Sequence, residues 1–169
     1  TEALGMALPG TTPVAANSPA MWDAVRAAGQ RIVQMVWDDL KPRDIMTEGA
    51  FANAVRAVLA VGGSVNCIKH LQAVATEAGA GVDVYHLFET LSLDTPVLAG
   101  VRPVGTHTIE EFEAAGGCRA VLKQLSPLLD LQALTVQGSM LGEQLQGTQV
   151  ADVELIRPLS RPVSTRPAI

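Results

Sequence analysis

The stretch Gly62-Gly63-Ser64-Val65-Asn66 is where residue type and spacing come nearest to chemistry. Paired glycines allow a sharp backbone reversal, and a helix starting just after them offers unbonded N–H groups and partial positive charge to an anion. Gly63, Ser64 and Asn66 are therefore the candidates for a substrate pocket or anion site, with Ser64 and Asn66 adding side-chain hydrogen bonds to a carboxylate or phosphate. The plain alternative is a glycine break between two helices with Ser64 as an ordinary cap. Neither the lysine of a phosphate-binding loop nor a dinucleotide fingerprint accompanies these glycines.

Cys67 and His70 lie three residues apart and share a helix face. A thiolate–imidazole pair, or half of a metal site, needs such neighbours. Ile68, Leu71 and Val74 mark much of the same helix as core-facing, and no third ligand is near in sequence, so packing is the preferred reading. His86 and His107 read as surface or capping residues. Asp38-Asp39, Asp44 and Glu110-Glu111-Glu113 are the carboxylate groupings. Adjacent helical positions point apart, so Asp38 and Asp39 form no shared-proton pair by themselves. Glu110 and Glu111 suit the first turn of a helix, where the dipole favours negative charge. No catalytic or metal-ligating set emerges from these residues.

The elements that must position these residues are mostly helical. Ser18 followed by Pro19 caps a helix of about 22 residues carrying Trp22, Val25, Ile32, Val33, Val36 and Leu40 at helical spacing, ended by Pro42. Thr47 caps a second, with Phe51, Val55, Val58 and Leu59 facing inward and Gly62-Gly63 ending it. Ser64 caps a third, running to Gly79, and Asp83 a fourth, with Leu87, Phe88 and Leu91, closed by Pro96. Thr108 and Glu111 make a capping box, and another helix follows Gly116-Gly117 with Val121, Leu122 and Leu125. Val97–Val101, Leu134–Val136 and Val153–Ile156 read as short strands, a helix-rich α/β pattern. The opening Glu2–Leu8 reads as the end of an element whose start is absent, which suggests a fragment.

The 169 residues are 48% hydrophobic, 17% charged and 4% aromatic. Length fits one domain, or a domain plus a tail, and the composition excludes a disordered chain. With six aromatic residues, the core must be closely packed Ala, Val, Leu and Ile. Residues 1–156 hold all 17 acids and nine of the bases, a balance of −8, which leaves no electrostatic footprint for nucleic acid. Cys67 and Cys118 are too few for a disulfide framework or a zinc cluster. No apolar run approaches the ~20 residues of a membrane span, and no secretory signal opens the chain. The tail, with Arg157-Pro158, Arg161-Pro162 and Arg166-Pro167, reads as a linker.

Taken in order, several stretches carry a resemblance. They are Glu2-Ala3-Leu4-Gly5-Met6-Ala7-Leu8-Pro9-Gly10, Asp39-Leu40-Lys41-Pro42-Arg43-Asp44-Ile45-Met46-Thr47, Gly62–Asn66 with His70-Leu71, and Ala115-Gly116-Gly117. Leu134-Thr135-Val136-Gln137-Gly138 with Leu141-Gly142-Glu143, and Ile156-Arg157-Pro158, complete the series. The whole resembles the middle section of the dihydroxy-acid dehydratase and 6-phosphogluconate dehydratase family. That resemblance implies a hydro-lyase converting a 2,3-dihydroxy carboxylate to a 2-keto acid, with an iron–sulfur cluster as Lewis acid on the leaving hydroxyl and Mg²⁺ on the carboxylate.

It also implies that the cluster cysteines, the Mg²⁺-binding carboxylates and modified lysine, and the serine base lie upstream of residue 1 or in a C-terminal domain. No ligand role passes to Cys67 or Cys118. This sequence departs from the family at Val65, where threonine is usual, at Thr106-His107 in place of Lys-Tyr, and at Cys118-Arg119 in place of a small residue and proline.

The resulting expectation is a partial three-layer α/β/α domain. Residues 1–156 would form the central part of a dehydratase N-terminal domain, and residues 157–169 a linker to a C-terminal domain. The parent would be a cytoplasmic homo-oligomer acting on a small dihydroxy acid, with no nucleic-acid or membrane partner. The fragment alone would bind no cofactor and be inactive. Leu128-Leu129-Asp130-Leu131 and Trp37-Asp38-Asp39-Leu40 lean toward the sugar-acid branch, with the branched-chain amino-acid enzyme a near-equal choice. The rival readings are a non-catalytic binding or assembly module on the same scaffold and an unrelated Cys–His hydrolase.

Overall fold

A computed structural model describes residues 1–166. Eight helices appear among them: α1 Pro19–Trp37, α2 Pro42–Ile45, α3 Glu48–Ala60, α4 Asn66–Ala78, α5 Val84–Leu91, α6 Ile109–Ala114, α7 Gly117–Leu125 and α8 Leu141–Gln144. A 3₁₀ turn, Ser126–Leu128, follows α7. The helix-rich character read from the sequence holds.

The caps act largely as the sequence implies. Ser18 Oγ accepts from the Met21 amide and Pro19 takes the first helical position, while Thr47 and Asp83 accept from Ala50 and His86. Thr108 and Glu111 exchange both bonds of a capping box. Each such bond satisfies a donor that the helix geometry leaves without a carbonyl.

The centre is α3, buried on nearly every side. Phe51, Val55 and Leu59 are enclosed, and so are Ala50, Ala54, Ala57 and Ala60. α4, α5 and α7 pack on it. Small residues on several faces let these neighbours approach closely, which is how a chain with few aromatics still fills its interior. Two polar side chains share that helix. Asn53 Nδ2 donates to the Asp130 carbonyl at 2.9 Å and its Oδ1 accepts from the Asp130 amide at 2.8 Å. Arg56 holds both carboxylate oxygens of Asp94 and the buried Thr95 hydroxyl.

The three runs expected as strands do not build a sheet among the described residues. Val97 pairs with Ser164, Ala99 with Ile156, Val101 with His107 and Leu134 with Met140, each as an isolated bridge. At 153–156 the reason is local. The Asp152 carboxylate accepts from the Glu154 and Leu155 amides, and the Asp152 carbonyl from Ile156, so a turn takes the donors that a ladder needs.

Residues 157–164 lie back on the body through Arg157 to the Leu98 carbonyl and Val163 to that of Val97. Pro167 to Ile169 of the expected linker fall outside the described residues.

At the other end, Gly5 donates to the Glu2 carbonyl and Met6 to that of Thr1, with Gly5 at φ +79°. That paired pattern, with a left-handed glycine, is the motif that closes a helix C-terminus.

α1 differs from its expectation in two ways. It stops at Trp37, because Asp39 turns left-handed at φ +53°. Its apolar stripe also faces outward: Trp22, Val25, Ile32, Val33, Val36 and Trp37 are all exposed, and only Met35 is buried.

Replacing the buried Asn53 by alanine removes both of its hydrogen bonds to the Asp130 backbone. The unfolding free energy should fall by about 2–3 kcal/mol, measured by urea denaturation.

Candidate functional site

The glycine turn has the form that an α4 start requires. Gly62 sits at φ +59°. A Cβ on Gly63 would come within 3.0 Å of Val58 Cγ1 and 3.2 Å of its carbonyl oxygen. Ser64 is not the cap residue itself. Val65 occupies that position in helical geometry without a side-chain bond, and Ser64 Oγ accepts from the Asn66 amide at 3.2 Å. The Ser64 carbonyl accepts from Cys67 at 2.9 Å. Ser64, Val65 and Asn66 are exposed, and they line none of the three cavities described below.

Cys67 and His70 share a face but separate by depth. Cys67 is half-buried against the main core, whereas His70 stands in solvent. The His86 amide donates to the Asp83 cap at the start of α5, and its ring lies 3.8 Å from Glu89. His107 Nδ1 is 3.5 Å from Glu111 Oε2.

The acids are solvated or capping, as their positions imply. Asp38 is held below its ordinary pKa by hydrogen bonds from Gln34 and Arg31. Glu110 is lowered by its own amide and Thr108. Asp44 accepts from the Lys41 amide at the start of α2.

The site that sequence reasoning missed is around Glu2. This acid is 6% exposed, with Oε1 accepting from the Gly10 amide at 2.8 Å. Its Oε2 finds no partner among the described residues, and neither do Arg119 Nε and Thr148 Oγ1. A cleft of about 560 Å³ lies beside them, lined in part by Gly10, Thr12, Glu113, Arg119 and Thr148.

Burial pushes the Glu2 carboxyl up, partly offset by Gly10, Thr12 and the Arg119 guanidinium. Burial and the neighbouring Glu2 together push the Cys118 thiol up to about 12. Glu2 heads an apolar run that reads as a helix end, so nothing local flags it.

A second cavity, about 700 Å³ and mostly apolar, runs under α1 between Met21, Val25, Ile32 and Val36 on one side and Met6 and Leu8 on the other. A third, between α2 and α4, is lined by Lys41, Arg43, Val74 and Glu77 among others.

Compared with known proteins, residues 1–144 match the family model described as "Dihydroxy-acid/6-phosphogluconate dehydratase N-terminal". The chain belongs to this dehydratase family. The dihydroxy-acid dehydratase of Syntrophobacter fumaroxidans is 42% identical over 163 residues, covering 95% of this chain and 29% of that protein. That of Trichlorobacter lovleyi is also 42% identical, with 96% and 29% covered. The mitochondrial dihydroxy-acid dehydratase of Schizosaccharomyces pombe is 40% identical over 168 residues, with 97% and 28% covered. The chain thus spans less than a third of these relatives' length.

The cofactors that the family implies were tested against the donors present. Among the described residues, no three of His, Cys, Asp and Glu come together to hold a metal ion. The described residues therefore do not fit an iron–sulfur cluster or Mg²⁺. None of its described helices is long and apolar enough to cross a membrane.

Two outcomes follow for Glu2 and Cys118. A carboxyl with a raised folded-state pKa opposes folding once ionised. That cost is absent at acid pH, where both states hold the proton, and develops as pH rises through the ordinary carboxyl range. Glu2→Gln should therefore be more stable than the wild type at pH 7 and converge with it at acid pH, by urea titration at several pH values. Burial and the neighbouring Glu2 hold Cys118 as the neutral thiol, the form that alkylates slowly. Mass spectrometry should find it unmodified by iodoacetamide in the native chain and modified after unfolding in guanidinium.

Proposed function

We propose that this chain is the central part of the N-terminal domain of a cytoplasmic hydro-lyase that removes water from a 2,3-dihydroxy carboxylic acid to give a 2-keto acid. The observation that carries the reading is the match over residues 1–144 combined with coverage of under a third of the relatives.

On this reading, residues 1–156 belong to that domain and residues 157–169 lead toward a C-terminal domain. The parent is a homo-oligomer with an iron–sulfur cluster and Mg²⁺, whose donors lie outside this chain. The relatives' names favour a dihydroxy acid over a sugar acid, and the acid of the branched-chain amino-acid route is the one assigned on this reading. The glycine turn contributes Gly63, Ser64 and Asn66 as substrate-pocket or anion contacts, because α4 begins there open to solvent and leaves room for a group from outside the chain.

The test compares two proteins. The full-length parent should form 2-keto acid from dihydroxyisovalerate faster than from aldonic acids, while the 169-residue chain alone should form none and carry no stoichiometric iron. Keto-acid formation or stoichiometric iron in the isolated chain would overturn the fragment reading, and a preference for aldonic acids would reassign the substrate. Ser64→Ala in the parent should raise KM about tenfold, the ~1.4 kcal/mol of one lost polar contact to an anion. An unchanged KM removes Ser64 from the pocket.

A further inference from the structure

The cleft beside Arg119 is used neither by the packing of the fold nor by the proposed chemistry. Its volume of about 560 Å³ lies within the ~300–1,000 Å³ of small-molecule sites. Three stretches far apart in sequence meet there: the loop of Gly10 and Thr12, the junction of α6 with α7, and the loop after α8. A Cβ on Gly10 or Gly147 would meet no atom within 4 Å, so its rim is open.

Two donors at this cleft have nothing to bond. Arg119 and Thr148 line it, and Arg119 Nε and Thr148 Oγ1 are shut off from water without a partner among the described residues. A guanidinium N–H can only donate, and a hydroxyl has one proton to give. Leaving such groups unmet costs stability, so both call for the same kind of partner, an acceptor oxygen. The guanidinium also keeps its charge uncompensated by its one side-chain bond, because Nη2 donates to a neutral group, the Gln144 carbonyl.

A carboxylate meets these donors, yet a bare anion does not suit the cleft. Glu113 lines it, and Glu2 is held behind it by the Gly10 amide. Carboxyl groups so placed repel an added negative charge unless the ligand brings a positive charge with it. A molecule with a carboxylate and an ammonium on one carbon answers both demands. Pro13 is the one apolar side chain of the lining, so no large hydrocarbon group finds a wall there.

We propose that this cleft binds a small polar α-amino acid as its zwitterion. The carboxylate accepts from Arg119 and Thr148, and the ammonium donates to Glu113. Charge-assisted bonds at both ends fix its orientation. Gly63, Ser64 and Asn66 do not line the cleft, so this site is separate from the glycine turn and stands whichever acid the parent dehydrates.

Titration of the 169-residue chain with L-serine, followed in amide NMR spectra, tests this. Saturable shifts are expected at Gly10, Gly117 and Gly147, with a millimolar Kd. Acetate and ethylamine each carry one of the two charges, and each should bind about tenfold more weakly. L-Leucine, whose side chain meets no apolar wall, should also bind about tenfold more weakly.

Two substitutions separate the two ends of the ligand. Glu113→Gln should weaken L-serine about tenfold while acetate binds no less tightly than before. Thr148→Val keeps the side chain's shape and removes a hydroxyl that bonds nothing in the fold. It should weaken L-serine and acetate alike, with an unchanged circular dichroism spectrum. Absence of saturable shifts at these glycines overturns the proposal. Acetate binding as tightly as L-serine overturns it too, and makes the cleft a site for an adventitious ion only. L-Serine binding that either substitution leaves unchanged is equally fatal, and L-leucine binding as tightly as L-serine overturns the choice of a polar side chain.

Discussion

Burial of α3 on nearly all sides is the constraint to which the rest of the molecule answers. A helix with no solvent face has to be narrow where its neighbours cross it. Ala50, Ala54, Ala57 and Ala60 supply that narrowness, while Phe51, Val55 and Leu59 fill the gaps between α4, α5 and α7. Its two polar residues are tolerated because each closes a specific bond: Asn53 to the backbone of Asp130, and Arg56 to Asp94 and Thr95. Buried polar groups without such partners would cost more than the packing around them returns.

α3 also sets the course of the extended chain. The Ala60 carbonyl accepts from both Leu98 and Ala99, so the 97–101 segment is anchored on a helix end. Its other backbone bonds are shared among Gly105, His107, Leu155, Arg157, Val163 and Ser164. Each neighbour offers one or two groups, which is why the pairing stays at single bridges. The second core cluster, with Leu98, Phe112, Val121, Leu125 and Ile156, forms around this anchor.

The family's scaffold is present here without a complete chemical centre. The glycine turn is held by Val58 behind Gly63 and opens α4 toward solvent. The buried acid lies elsewhere, where Glu2 meets Gly10 and the cleft beside Arg119. Arg119 reaches the Gln144 carbonyl at 2.6 Å, which joins α7 to the residues of α8. The unusual Cys118-Arg119 pair thus has a structural use for its arginine, while its cysteine lies half-buried beside Glu2. Nothing in the structure explains Thr106 in place of lysine.

The starts of α1, α3, α5 and α6 were legible from the sequence by itself, because Ser18-Pro19, Thr47, Asp83 and Thr108-Glu111 act on donors within three residues. The family was legible for a related reason: its motifs are local strings in a set order. Inward facing was readable for α3, whose apolar residues lead into other apolar elements. It was not readable for α1, where the same spacing faces outward, since periodicity defines a stripe without saying what covers it. The strand-like run at 153–156 failed because one carboxylate, Asp152, captured its amides. Only the tertiary structure decided that Glu2 is buried against Gly10 and Arg119, because desolvation comes from residues far along the chain. Local hydrogen bonds are written in neighbouring residues; burial is a property of what the fold brings around them.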